Sequence, residues 1–153
     1  MWQVPERYWV TSGAAEGGTA LNAFDNALLA GGVGNLNLIR VSSILPKGAQ
    51  RMHERPSHLV EGTLAPVVYS VAESETEGQI IASCVGVGRS KDRYGVIFEH
   101  AGPMTARHAE AIVRRQVEEA FKNRGLDLEE LILESCEHRV ARYGCTVAAV
   151  MLW

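Results

Sequence analysis

Two serines stand side by side in LIRVSSILP, residues 38–46. Two readings of Ser42 and Ser43 are open. Serine hydroxyls bond to nearby backbone and Pro46 cannot donate to a ladder, so the pair suits an ordinary turn. A serine hydroxyl beside a peptide carbonyl is also a nucleophile in waiting, so the chain could cut itself there. Glu99 closes GVIFE, residues 95–99. A carboxylate among apolar side chains has its charged form disfavoured, and could hold a proton and act as a general acid. It could equally be a strand end that sends its charge into solvent. Asp25 lies four residues after Leu21 and three before Leu28, on or beside the apolar face of a helix. A carboxylate there turns outward unless a buried cation needs it.

Other chemistries fit less well. The glycines of GGVGN, residues 31–35, follow a helix and precede a strand, whereas a phosphate loop runs from strand through glycines into helix. The five histidines, at 53, 58, 100, 108 and 138, show no metal-site spacing, and none with the cysteines, so no metal is expected. His100 is of interest only as the neighbour of Glu99. Cys84, Cys136 and Cys145 are odd in number and widely spaced, which suits reduced thiols in a cytoplasm better than a disulfide framework. A formal net charge of -3 gives no basic field for nucleic acid. No apolar stretch reaches membrane length, so no membrane association is expected.

The elements that must position these groups follow from periodicity. With 153 residues, 46% of them hydrophobic, the chain suits one domain with a core of its own. Residues 6–12 predict a short strand, and GAAEGG, residues 13–18, a loop. A helix capped by Thr19 and stopped by Gly31 or Gly32 should bury Leu21, Phe24, Leu28 and Leu29. The segment from Asn35 to the serines predicts a strand, and residues 47–63 an exposed excursion. Strands are expected in APVVYSVAES, QIIASCVGVG and RYGVIFEH. From Thr105 to Asn123 a second helix carries Ala109, Ile112, Val113, Val117, Ala120 and Phe121 on one stripe, with Gly125 at its stop. Two closing strands follow, the last buried on both sides. Together these predict an α+β fold, an α/β/β/α layered sandwich in a single domain.

The run LNAFDNALLAGGVGNLNLIRVSSILP, residues 21–46, resembles the signature of the pyruvoyl-dependent arginine decarboxylases. It joins the LNAFD helix, the glycine turn, the GNLNLIR strand and the serine pair without a gap. IFEHAG, the helix after it and the C-terminal strand extend the likeness across nearly the whole chain, while residues 47–63 match poorly.

That resemblance implies self-cleavage between Ser42 and Ser43, into residues 1–42 and 43–153, with Ser43 becoming a covalent pyruvoyl group. Asn37 would match the family's amide donor to the developing oxyanion. It stands six residues before Ser43, too far along a straight strand, so the chain must bend or another segment intervene. The substrate amine of L-arginine would form an imine with the pyruvoyl group, which replaces pyridoxal phosphate as electron sink, and agmatine and CO2 would leave. Glu99 would match the proton donor and Asp25 the partner of the guanidinium, with Leu28 lining the pocket. A charged hydrogen bond of about 1.5 to 3 kcal/mol would favour arginine over a neutral chain of equal length by about one to two powers of ten. The resemblance further implies a homotrimer with active sites between neighbours, serving polyamine synthesis. Two alternatives stay open: pyruvoyl chemistry on another amino acid, and an unprocessed, non-catalytic assembly subunit.

Overall fold

A computed structural model describes residues 3–153. Among these residues nine strands and two helices form four layers, helix on sheet on sheet on helix, so the layered α+β sandwich is what the chain adopts. In chain order the elements are β1 (Arg7–Glu16), α1 (Ala20–Ala30), β2 (Asn37–Arg40), β3 (Ile44–Leu45), β4 (Gln50–Met52), β5 (Leu64–Ser74), β6 (Ile80–Arg89), β7 (Gly95–Gly102), α2 (Ala106–Arg124), β8 (Glu130–Arg139) and β9 (Gly144–Leu152). One sheet has the order β2-β5-β9-β1-β4 and the other β3-β7-β6-β8. β9 is central in its sheet and buried along its whole length, as its run of small and branched apolar residues requires.

The inner faces of the two sheets meet through Tyr8, Val68, Val85, Ile97, Ile132 and Val150. On the outer face of the four-stranded sheet, α2 buries Ala109, Val113, Val117, Ala120 and Phe121, the predicted stripe apart from a half-buried Ile112. It sits close because β6 carries glycine beneath it: a Cβ on Gly86 would lie 2.4 Å from Val113 Cγ1. Thr105 caps α2, its hydroxyl accepting from His108 N–H, and Gly125 ends it in the left-handed region.

The first helix departs from its expected orientation. Thr19 caps it and Gly31 ends it as the sequence predicts, but the residues it buries are Ala23 and Ala27. Leu21 and Leu29 are 74% and 47% exposed, and Phe24 and Leu28 are half-buried. The cause is a close approach. A Cβ on Gly13 would stand 2.3 Å from the Ala27 carbonyl oxygen, so the helix backbone rests on the strand backbone and only small side chains fit between. The same contact corrects the loop expected at residues 13–18. Residues 13–16 continue β1, pairing with β9 from Gly13↔Val147 to Glu16↔Gly144, and their small size serves helix packing instead of a turn.

Residues 47–63 are also less exposed than expected, since β4 pairs in parallel with β1 and Pro56 and Leu59 are buried. The strand expected to run into the serines stops at Arg40, three residues before Ser43, because β2 lies at a sheet edge and the chain leaves for the other sheet. The tight seat of α1 gives a first prediction. Gly13→Ala must push the helix backbone off β1, and should lower the unfolding free energy in urea by about 1 to 3 kcal/mol. An unchanged midpoint would mean the helix is free to lift.

Candidate active site

The local geometry of the serine pair follows from topology. β2 is the edge of one sheet and β3 the edge of the other, and only Val41, Ser42 and Ser43 connect them. The last hydrogen bond to the first sheet runs from Val41 N–H to Val67 O at 3.0 Å. The next, to the second sheet, runs from Ile97 N–H to Ser43 O at 2.7 Å. The chain bends at Ser43. Between those two anchors, the Ser42 carbonyl and the Ser43 N–H have no hydrogen-bond partner among the described residues. A peptide unit outside any ladder can change its bonding without breaking one.

This peptide opens onto a cleft of about 520 Å³ between the sheet edges, lined by Ser42 and Ser43 with Val68, Ile97, Phe98 and Glu99. Strand alternation sets what β7 contributes. Ile97 belongs to the core between the sheets and Val96 to the core under α2, so Glu99 shares the inner side with Ile97 while His100 lies on the α2 side. Side-by-side in sequence, Glu99 and His100 therefore face opposite ways. Glu99 keeps 28% of its side chain exposed, so it is neither a fully buried acid nor a free strand end. Its partner is Arg40, whose Nη2 donates to Glu99 Oε1 at 3.3 Å. The Arg40 guanidinium also lies 5.0 Å from the centre of the Tyr69 ring. With 59% of the Arg40 side chain exposed, such a pair contributes about 1 kcal/mol at most, enough to set orientation more than stability.

Arg40 went unnoticed in the sequence. Its signal was available in the spacing, since residues two apart on an extended chain project to the same side and Arg40 stands two before Ser42.

The structure thus brings Ser42, Ser43 and Glu99 together within one chain and leaves three other candidates outside the cleft. Asn37 begins β2, exposed, and its Nδ2 donates to the Gly62 carbonyl at 2.9 Å. Leu28 packs with the apolar clusters between α1 and its sheet. Asp25 is exposed on the outer face of α1, flanked one turn before and after by the exposed Leu21 and Leu29.

Rival nucleophiles are poorly prepared. Burial pushes the thiols of Cys84 and Cys145 up to about 12 and raises that of Cys136, so none is a thiolate near neutral pH. A second cleft, of about 510 Å³ beside Val4, Arg7 and Trp153, is lined by no hydroxyl or thiol among the described residues. The serine pair is where hydroxyl, open peptide and carboxylate coincide.

Comparison with known proteins places the chain in a family. The family model described as pyruvoyl-dependent arginine decarboxylase matches residues 7–153. A protein of that name from Pyrococcus abyssi is 43% identical, the match covering 99% of this chain and 98% of the relative. Its namesake in Thermococcus kodakarensis is 41% identical over 99% and 96%, and that in Methanocaldococcus jannaschii 38% over 99% and 92%. The family model and these relatives each span nearly the whole of this chain, and on that ground the chain belongs to the pyruvoyl-dependent arginine decarboxylase family.

Proposed function

We propose that this chain cleaves its own Ser42–Ser43 bond and then converts L-arginine to agmatine and CO2. The observation that carries the proposal is the unpaired Ser42–Ser43 peptide, anchored on each side to a different sheet and facing Glu99. In the first step the Ser43 Oγ bonds to the Ser42 carbonyl carbon, the C–N bond breaks, and the Ser43 nitrogen takes up a proton, leaving an ester. Loss of the residue 43 α-proton then expels the Ser42 carboxylate with its electron pair. Water hydrolyses the resulting dehydroalanine terminus, releasing ammonia and leaving a ketone. Residues 1–42 and 43–153 are the two products. Asn37 serves as donor to the first oxyanion only if the segment 37–43 rearranges from its present contact with Gly62, or if the chain acts in an assembly that reshapes it.

The surroundings suit a pyruvoyl group at position 43. There is a serine to make it from, open space before it, and a backbone donor behind it: Ile97 N–H holds the residue 43 carbonyl oxygen at 2.7 Å. Once formed, the group supplies an electron sink for the bond between α-carbon and carboxylate. The chain's residues do the rest. Ile97 N–H faces the oxygen on which charge builds and is in place before the reaction, so it stabilises that charge without reorganisation. Glu99 delivers a proton to the substrate α-carbon. Val68 and Ile97 keep water from the reacting carbon.

The substrate's guanidinium requires a carboxylate, and Asp25 is the residue the family likeness assigns. Its exposure on α1, away from this chain's cleft, supports a trimer in which a neighbouring copy presents Asp25. The exposed Leu21 and Leu29 on either side of it support the same reading, since apolar side chains left in water favour a partner surface. A charge-assisted pair excluded from water at such a boundary would discriminate against neutral side chains.

Three substitutions test the proposal, with cleavage followed on a denaturing gel and agmatine measured directly. Ser43→Ala should remain one chain and make no agmatine. Glu99→Gln should lose about 10² to 10⁴ in kcat while arginine still binds. Asp25→Asn should lose about 10- to 100-fold in kcat/KM for arginine and less than that for a neutral analogue such as citrulline. Equal losses for both substrates would remove Asp25 from guanidinium recognition, and agmatine from the Ser43→Ala protein would overturn the pyruvoyl origin.

A further inference from the structure

The Arg40–Glu99 contact belongs to the uncut chain, and the cut proposed above changes its electrostatics. Before cleavage the cleft holds one carboxylate, Glu99, and one cation, Arg40, among its described lining residues. Cleavage adds a second carboxylate, the new terminus of Ser42, in the same cleft. One guanidinium then faces two anions. We propose that Arg40 is a positioning residue that grips Glu99 while the chain is whole and turns to the Ser42 carboxylate once it is cut.

Geometry favours the new partner. Arg40 and Ser42 are two apart in sequence, so their α-carbons lie no more than roughly 7 Å apart, within the reach of an arginine stem. Glu99 must be reached across the gap between sheets, 59 residues away in sequence, and the contact made is a single 3.3 Å bond. A guanidinium has five donors and prefers to meet a carboxylate through two parallel bonds. Nη2 is committed to Glu99 through that one bond, so the planar fork has donors to offer a closer carboxylate. Tyr69, 5.0 Å below, keeps the guanidinium at the β2 edge under either pairing.

The consequence is a sequence of events built into one residue. A carboxylate gripped by a cation is occupied in accepting hydrogen bonds, whereas a proton donor needs an oxygen free to carry and surrender its proton. Cleavage would release Glu99 for that work at the moment the electrophile appears. It would also pin the last residue of the small chain, whose backbone is otherwise held only as far as Val41 N–H.

This inference rests on the self-cleavage reading, and its test separates the two. Wild type, Arg40→Lys and Arg40→Gln are purified, and the small chain is weighed before and during exposure to a carboxypeptidase. Wild type should yield a small chain ending at Ser42 that resists trimming. Arg40→Gln should be cleaved but lose Ser42 about fivefold faster, with kcat and KM within about twofold because Glu99 is free of Arg40 in both cleaved proteins. Arg40→Lys, which keeps the charge without the fork, should lie between, and it serves the same comparison if the glutamine variant folds poorly. Cleaved Arg40→Gln that is trimmed at the wild-type rate overturns the role of Arg40 alone. A raised KM with unaltered trimming also overturns it, and makes Arg40 a ligand of the substrate carboxylate instead. Wild type that never splits overturns the self-cleavage reading and this one with it.

Discussion

The site depends on one economy of connection: three residues must carry the chain from the edge of one sheet to the edge of another. Val41 N–H is bonded to the first sheet and the Ser43 carbonyl to the second. The peptide between them has no ladder to join, because it lies in the gap that the two packed sheets define. Everything else in the fold serves to hold the two banks of that gap still. The inner core built around Val68, Val85, Ile97 and Val150 fixes the spacing of the sheets, and the outer helices clamp each sheet from behind. A bond placed there can be lost without unfolding its surroundings. Residues 1–42 contain β1, whose nine paired positions with β9 sit in the middle of the larger sheet, and β2, paired with β5 at its edge. Either side of the proposed cut keeps its pairing with the sheet.

Much of this architecture was legible in the sequence, for identifiable reasons. The α2 stripe and the buried β9 read correctly because side chains do the burying there, and periodicity registers side chains. The first helix read wrongly for the converse reason. Its contact is made by backbone over Gly13 and by Ala23 and Ala27, so the bulky residues that dominate the pattern are the ones turned outward. Glycine and alanine at residues 13–15 resemble loop composition for the same reason, though they lie in the last part of a paired strand.

The site was legible as residue types and not as distances. Ser42, Ser43 and Glu99 were singled out and do share a cleft, but nothing local to either segment shows that β3 and β7 are neighbours. Arg40 escaped because its partner lies on another sheet. Asp25 and Asn37 stand apart from the cleft within a single chain, and only an assembly or a rearrangement can give them the parts that the family likeness assigns. The outward Leu21, Asp25 and Leu29 make the assembly the simpler of the two for α1, since one exposed surface then explains both the apolar residues and the charge between them.

The central claim concerns the fate of a single peptide bond, and mass spectrometry of freshly purified protein, before and after treatment with a hydrazine, addresses it most directly. The account predicts two species, one matching residues 1–42 and one matching residues 43–153 with a terminal ketone in place of the amine, the larger alone gaining the mass of one hydrazone. A single species of full-length mass that takes up no hydrazine would contradict it.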